Sequence, residues 1–555
     1  MLTCMNKNDD RKKNGGSLLR SGILLSVMTF ASRIMGLVRE MTKASFLGTT
    51  MYADAFTTSF MIPNLLRRLF AENSISVAFI PTFKAYLEKG GSESNRKETQ
   101  EFLAATFTLV SFAAACTVVI GILITPLLTP LFCSRPDAAS AGYAAEFAAW
   151  LAKKNEITVL TRIMFPYLLL ISVAAFFQGI LNGCGIFSPS GFTPVLFNGT
   201  VIAATYALAP HTENPARAMA IGVVLGGTVQ ALFQLPFVLK TGWKVSFTGL
   251  RKTFSNPGTK KVLALIGPTV IGMAAYQLND VVSTALANKA GEGIAASLQY
   301  SMRLQELILG IFAVSIGTVI LPDLSGLAAR RDWEKFNTML IQAIRIITVI
   351  TIPVTFYSLV NGKELISLLY KSKKFNEESV LLTLGEFRWH IAGLFFIAVN
   401  RIISPAFYAQ GNTKLPTTAG IISFGANILL ALALAVPMGG NGIALALSLA
   451  SMVNTVFLFM FMGKMNSMDT AKILRSTLLY IARITLFSVA AAVPCFFLRP
   501  QLTGLFSGKS RLIAQGAPAA VSALVFAAIG ISLLVVTKDP ALGALAGKIR
   551  SHKTK

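Results

Sequence analysis

A chain of 555 residues that is 54% hydrophobic and 14% charged, with a mean hydropathy of +0.62, is excluded from the soluble globular proteins, in which about a quarter of residues carry charge. Repeated apolar runs of about twenty residues point instead to an all-α polytopic membrane protein. The net charge of +25 does not mark a nucleic-acid partner, because the basic residues fall largely between the apolar runs, where they set topology and meet anionic lipid.

In chain order, residues 1–16 form a polar, basic tail. No small-residue cleavage site follows the first apolar run, which therefore reads as a retained helix. About fourteen spans are predicted, at 17–39, 53–86 (long, or broken), 100–132, 157–183, 190–209, 217–239, 262–287, 295–327, 336–360, 379–410, 415–437, 442–463, 474–498 and 513–537. LFAENSISVAFIP (69–81) resembles IFAVSIGTVILP (311–322) with one gap. This weak repeat predicts two six-helix lobes, 17–239 and 262–463, with a substrate site between them. The loop 240–261 joins the lobes, and two further helices (464–537) and a basic tail (538–555) complete the chain.

The loop 240–261 carries Lys240, Lys244, Arg251, Lys252, Lys260 and Lys261 with no acid. An even span count puts it on one side with both basic tails, and the positive-inside rule makes that side the cytoplasm. The 361–378 connection, with Lys363, Lys371, Lys373 and Lys374, is an exception and reads as a short interfacial helix with a basic end. Five scattered cysteines without a C-x-x-C spacing read as small apolar side chains.

The chemistry concentrates between Arg33 and Pro81. Arg33, Arg39, Glu40, Asp54, Arg67, Arg68 and Glu72 all fall in otherwise apolar sequence. Each charge in a membrane helix costs roughly 2.5–3.5 kcal/mol, so this stretch reads as the anion-binding wall of a transporter. Arg33 and Glu40, seven apart, share one helical stripe. Gly36 between them lets a helix or ligand approach. Arg39 and Glu40 either serve the site or snorkel to water from the helix end. Pro63-Asn64 interrupts the second helix, which is tolerable beside protein or a wet cavity.

Arg67 and Arg68 point about 100° apart on a helix, so one faces the ligand, with Arg67 preferred, while the other pairs with Glu72. Asp54 either supports the site or caps its helix. In the second lobe Arg303 has Glu306 three residues on to orient it, and a guanidinium grips phosphate oxygens bidentately at any working pH. Asp280, deep in an apolar run, is a candidate cation or proton site or the partner of a nearby arginine. His390, near Glu386, reads as a satisfied structural histidine. GLFSGKS (504–510) is one residue short of a phosphate-binding loop. No nucleophile or metal motif appears, so an enzyme is not expected. The alternatives are a cation-coupled drug or small-molecule antiporter and a non-transporting scaffold.

SRIMGLVRE, ADAF, IPNLLRRLFAE and AFIPTF, with YSMRLQELILGIFAVSIGTVILPDLS and PAFYAQGNTKLP later on, closely resemble the motifs of the MurJ (MviN) family of the multidrug/oligosaccharidyl-lipid/polysaccharide (MOP) exporter superfamily. The resemblance implies a lipid II flippase of the bacterial cytoplasmic membrane with both termini cytoplasmic. It would carry undecaprenyl-pyrophosphate-linked disaccharide-pentapeptide to the outer leaflet for peptidoglycan synthesis. It also implies fourteen helices in two lobes, the last two lining a lipid-facing groove for the prenyl tail. The family's central arginines match Arg33, Arg39, Arg67 and Arg303, and its acids match Glu40 (usually Asp), Asp54 and Glu72. Met302 stands where the family usually has Asp. Some members bind sodium, and Asp280 and Asn427 match positions of that site, but 415–437 contains no Asp or Glu. Sodium or the membrane potential would drive a monomer, with lipid II, membrane lipids and other peptidoglycan-synthesis proteins as partners and no other cofactor.

Overall fold

The computed structural model describes residues 15–72, 75–90, 92–133, 135–139, 142–465 and 467–539. Among the described residues the secondary structure is helical, with no β-strand. The chain divides into two compact units, Met1–Gly293 and Ile294–Lys555.

The first unit opens with α1 (Gly15–Leu47) and α2 (Met51–Leu66). The predicted break near Pro63 is a widening: the backbone passes into π-helical turns at Arg67–Glu72 and Ile75–Phe79 before α3 (Ile80–Glu88). Then follow α4 (Glu93–Leu128), α5 (Tyr143–Met164), α6 (Pro166–Gly183), α7 (Ser188–Leu208), α8 (Pro215–Lys240), the short α9 (Leu250–Ser255) and α10 (Pro257–Ala290). Local chemistry sets several starts. Ser92, Asn214 and Asn256 each accept a hydrogen bond from the backbone N–H three residues on, and Pro166, Pro215 and Pro257 open their helices at a position with no N–H to satisfy.

Aromatic rings fill the interface of α3, α4 and α6. Phe79 stands 4.9 Å from Phe176 and 5.8 Å from Phe102, and Tyr86 stacks on Phe102 at 4.6 Å. Glycines let the helices close. A Cβ at Gly121 of α4 would lie 2.1 Å from the ring of Phe165, which is 1% exposed. Gly121→Ala should therefore destabilise the protein by about 1–3 kcal/mol, read as a lower thermal unfolding midpoint of the purified protein. An unchanged midpoint would show that the ring swings clear.

The second unit comprises α11 (Ile294–Ala329), α12 (Trp333–Tyr370), α13 (Glu377–Ala392), α14 (Leu394–Tyr408), α15 (Lys414–Met438), α16 (Gly440–Met462), α17 (Thr470–Leu505) and α18 (Arg511–Val536). Small and polar residues join α11, α13 and α16, as in other membrane bundles. Ser297 donates to Glu386 Oε1 at 2.8 Å, Ser448 donates to the Trp389 carbonyl at 2.6 Å, and His390 Nδ1 lies 2.7 Å from Ser301 Oγ. His390 is thus a hydrogen-bonded core histidine. The predicted interfacial helix is the end of α12, beyond a non-helical Asn361. The terminal pair packs on α12 through the Tyr357 hydroxyl, which donates to the Ala519 carbonyl at 2.7 Å, and through the Arg499–Glu364 ion pair at 2.7 Å.

Ten helical rods among the described residues are long and apolar enough to cross a membrane. Four more segments, α1, the α2–α3 segment, α10 and α11, complete the fourteen predicted. Several are longer than expected, and two of the extensions carry buried charge: α1 continues past 39 to Leu47, and the rod predicted to start at 157 begins at Tyr143. The added turns carry charges that an apolar run excludes, and the fold supplies their partners. Cys116, Cys133 and Cys495 are free thiols, and burial pushes the Cys133 thiol pKa up, in keeping with an inert apolar role. Cys184 is disulfide-bonded, which the scattered spacing did not suggest; Cys4 lies outside the described residues.

Candidate functional site

The extra turns of α1 decide between the two readings of Arg39 and Glu40. They lie about two turns inside the helix end, and Glu40 is only 3% exposed, so it does not snorkel. Its carboxylate is shared: Arg39 Nη2 donates to Oε1 at 2.8 Å, and Lys43 Nζ stands 3.3 Å from Oε2. Lys43 is 2% exposed and also donates to Thr57 Oγ1 on α2 at 3.3 Å. The Arg39 guanidinium sits 5.9 Å from the rings of both Phe60 and Phe197, a cation–π setting on a partly desolvated charge.

Sequence reasoning passed over Lys43. The signal was present, because a lysine three residues after Glu40 shares its helical face. The two contacts from α1 to α2, Lys43 to Thr57 and Arg39 to Phe60, fix an antiparallel register. Arg33 is half-buried and makes no hydrogen bond or ion pair among the described residues. Gly36 faces Asn198 of α7, where a Cβ would lie at an ordinary 3.8 Å.

Asp54 does not cap α2. That helix starts at Thr50, whose side chain makes no capping bond, and the N–H of Met51 is taken by Glu292 Oε1 at 2.8 Å. Asp54, fully buried, accepts from Lys153 Nζ at 3.0 Å and from the Gly293 N–H at 2.8 Å. Gly293 takes φ +81°, and a Cβ there would lie 2.3 Å from the Thr49 carbonyl oxygen, so this position requires glycine. Further along the same interface, Asn288 of α10 donates to Thr58 at 2.8 Å and Arg68 meets Asp280 at 3.3 Å. Helix α10 is thereby zipped along α2 within the first unit. Glu156 of α5 is likewise held by both Nε and Nη2 of Arg217.

Arg67 donates from Nε to Asn64 Oδ1 at 3.0 Å, so the residue beside the helix-interrupting proline also orients the guanidinium. Arg68 points elsewhere, to Gln277 at 3.4 Å and Asp280. The side chain of Glu72, expected to pair with one of them, lies outside the described residues. Asp280 engages an arginine, the second of the two roles its sequence position allows. In the second unit Arg303 Nη1 donates to Glu306 Oε2 at 2.6 Å, with both side chains partly exposed. Asn427 is buried on α15; it and Asp280 belong to different units. Among the described residues no three His, Cys, Asp or Glu side chains group as metal ligands.

The first unit thus presents Arg33, Arg39 and Lys43 on α1 and Arg67 and Arg68 just after α2, inside an apolar fold. The profile of the family described as "Lipid II flippase MurJ" matches residues 43–510. The chain belongs to the MurJ family. It is 46% identical over 530 residues to the probable lipid II flippase MurJ of Treponema pallidum, covering 95% of this chain and 97% of that one. It is 32% identical over 407 residues to the lipid II flippase MurJ of Burkholderia cenocepacia, covering 73% and 76%.

Among solved structures, a lipid II flippase MurJ in an inward closed conformation superposes with a TM-score of 0.74 at 25% identity, covering 93% of this chain and 99% of that one. An inward-facing multidrug resistance MATE transporter of the MOP superfamily shares the fold, with a TM-score of 0.62 at 16% identity and coverage of 81% and 99%. The all-α polytopic fold and the family expected from the motifs are those observed. The MurJ profile match begins at Lys43, so Arg33, Arg39 and Glu40 precede it, while the long Treponema alignment spans nearly the whole chain.

Proposed function

We propose that this MurJ-family chain is a lipid II flippase, carrying undecaprenyl-pyrophosphate-linked disaccharide-pentapeptide from the inner to the outer leaflet of the cytoplasmic membrane by alternating access. The observation that carries the reading is Arg33. It is a half-buried guanidinium with no ion-pair partner among the described residues. Unpaired cations in a membrane protein are costly, and a diphosphate is a ligand that repays them.

In the proposed cycle the pyrophosphate is neutralised by Arg33, Arg39 and Arg67, and Arg303 is a further proposed ligand. Asn64 orients Arg67, Glu306 orients Arg303, and Lys43 offsets the Glu40 carboxylate so that Arg39 keeps positive charge for the ligand. The prenyl tail stays in lipid beside the terminal helix pair. Both termini lie in the cytoplasm, on the side of the basic loops.

Return of the empty, positive cavity is driven by the inside-negative potential, worth about 2.3 kcal/mol per charge per 100 mV if the whole field is crossed. The potential is preferred to sodium at Asp280 and Asn427 because Asp280 already holds Arg68.

The test is translocation of lipid II, against other polyprenyl-linked glycans, in vesicles holding the purified chain. Selective movement of lipid II is expected. Movement of another glycan, or of cationic drugs alone, would replace the proposal. Arg68→Ala should slow translocation less than Arg67→Ala, since Arg68 is offset by Asp280; the opposite ranking would reassign the ligand contact.

A further inference from the structure

A second basic site lies in the second unit, apart from the arginines above. A cavity of about 650 Å³ between α12 and α17 is lined by Arg345, Lys472, Arg475 and Arg483 together with Asp469, Ser476, Leu479 and Tyr480. Its acids are already engaged. Asp469 Oδ1 accepts from the Lys472 backbone N–H at 3.0 Å as the cap of α17, and the Asp539 carboxylate accepts from the Tyr480 hydroxyl at 2.9 Å and lies 3.6 Å from Arg483 Nη2.

The cations are less satisfied. Lys472 and Arg475 are exposed and have no acidic partner among the described residues. Arg345 donates to Ser476 Oγ at 2.9 Å and lies 5.6 Å from the Tyr480 ring, yet its buried Nε–H has no hydrogen-bond partner among the described residues. Four basic side chains thus line one concave space, a setting for phosphate oxygens.

Position decides which phosphate. Asn337, in the first turn of α12, bonds the 467–469 turn in both directions at 3.2 Å, so α12 and α17 begin side by side. From that contact Arg345 and Ser476 each lie about eight residues along their helices, about 12 Å at 1.5 Å per residue, on the way from the charged helix starts to the apolar stretch. From the cavity an exposed apolar stripe runs down α17. Leu479, Leu486 and Val493, at 64%, 67% and 48% exposure, are spaced seven apart on one face. The stripe covers about 20 Å, enough for acyl chains crossing one leaflet, whose hydrocarbon is about 15 Å deep. Free phosphate would use the cations and leave the stripe idle.

We propose that this cavity binds the phosphate of an anionic phospholipid of the surrounding leaflet, with its acyl chains along Leu479, Leu486 and Val493. The occupant has a negative headgroup and two chains. Net positive charge selects it over zwitterionic lipid, and it holds α12 against the terminal pair.

The purified full chain in nonionic detergent is titrated with palmitoyl-oleoyl phosphatidylglycerol, with phosphatidylcholine of the same chains, and with inorganic phosphate. Bound lipid is read by native mass spectrometry and by the rise in thermal midpoint. Phosphatidylglycerol should bind with preference over phosphatidylcholine, and millimolar phosphate should not displace it. The exposed pair K472Q/R475Q should weaken phosphatidylglycerol binding about tenfold and abolish its thermal stabilisation, whereas K509Q, at the far end of α17, should match wild type. If K472Q/R475Q folds poorly, R475Q alone should show a smaller loss of the same kind. Equal binding by the variants and wild type, or equal retention of the two lipids, would overturn the site. Displacement of phosphatidylglycerol by inorganic phosphate alone would overturn the lipid as occupant.

Discussion

Replacing Arg39 by alanine is expected to abolish lipid II translocation while the protein accumulates normally in the membrane. The substitution removes one arm of a three-member arrangement in which Glu40 lies between Arg39 and Lys43. Without Arg39, the buried carboxylate keeps Lys43 as partner, so the fold survives and the anion loses a ligand. Truncating one partner of a buried charge pair costs about 2–5 kcal/mol, which for the ligand in transit is roughly a thirty- to several-thousand-fold loss.

Arg39→Lys should recover only part of it, because an ammonium restores the charge but not the planar fork. Arg33→Ala and Arg303→Ala should behave like Arg39→Ala. Lys43→Met should do less harm, since Lys43 is too buried to touch a ligand and acts by offsetting Glu40. Vesicle translocation and complementation of flippase-depleted cells measure both effects. Full growth with Ala at positions 33, 39 and 303 in turn would remove these residues from the site.

The second large effect is on stability. Asp54→Ala should destabilise the first unit by about 3–5 kcal/mol, because it strands a mostly buried Lys153 ammonium and an interior N–H at Gly293. Asp54→Asn should cost less, since an amide oxygen still accepts from Gly293. Removing both charges as D54L/K153M should recover much of the loss, as apolar replacement of a buried ion pair commonly does. Thermal midpoints of wild type, D54L, K153M and D54L/K153M form a double-mutant cycle. Additive losses would show that Asp54 and Lys153 do not act as a pair.

The helical membrane class, the fourteen segments and the family were legible because they rest on local or linear properties. Apolar runs report the length of a bilayer span, and motifs such as SRIMGLVRE are contiguous. The Arg303–Glu306 pair was legible for the same reason, since three residues on a helix make one face. Charged turns misled the reading at 40–47 and 143–156. No hydropathy pattern places a span through Glu40, Lys43, Lys153 and Glu156 until their partners are known. Asp54 shows the limit most plainly: a carboxylate in the first turn of a helix reads as a cap, and its true partners are 99 and 239 residues away.

By itself the amino-acid sequence determined that this chain is a bundle of membrane helices, where most of them lie and which arginines interrupt the grease. Only the tertiary structure decided how those charges are shared: Glu40 between Arg39 and Lys43, Asp280 to Arg68, Asp54 to Lys153, with Arg33 left over. The physical reason is that burial of apolar surface depends on composition along the chain, whereas neutralising a buried charge depends on an opposite charge or donor within about 3–4 Å, and chain order does not say which residues come that close.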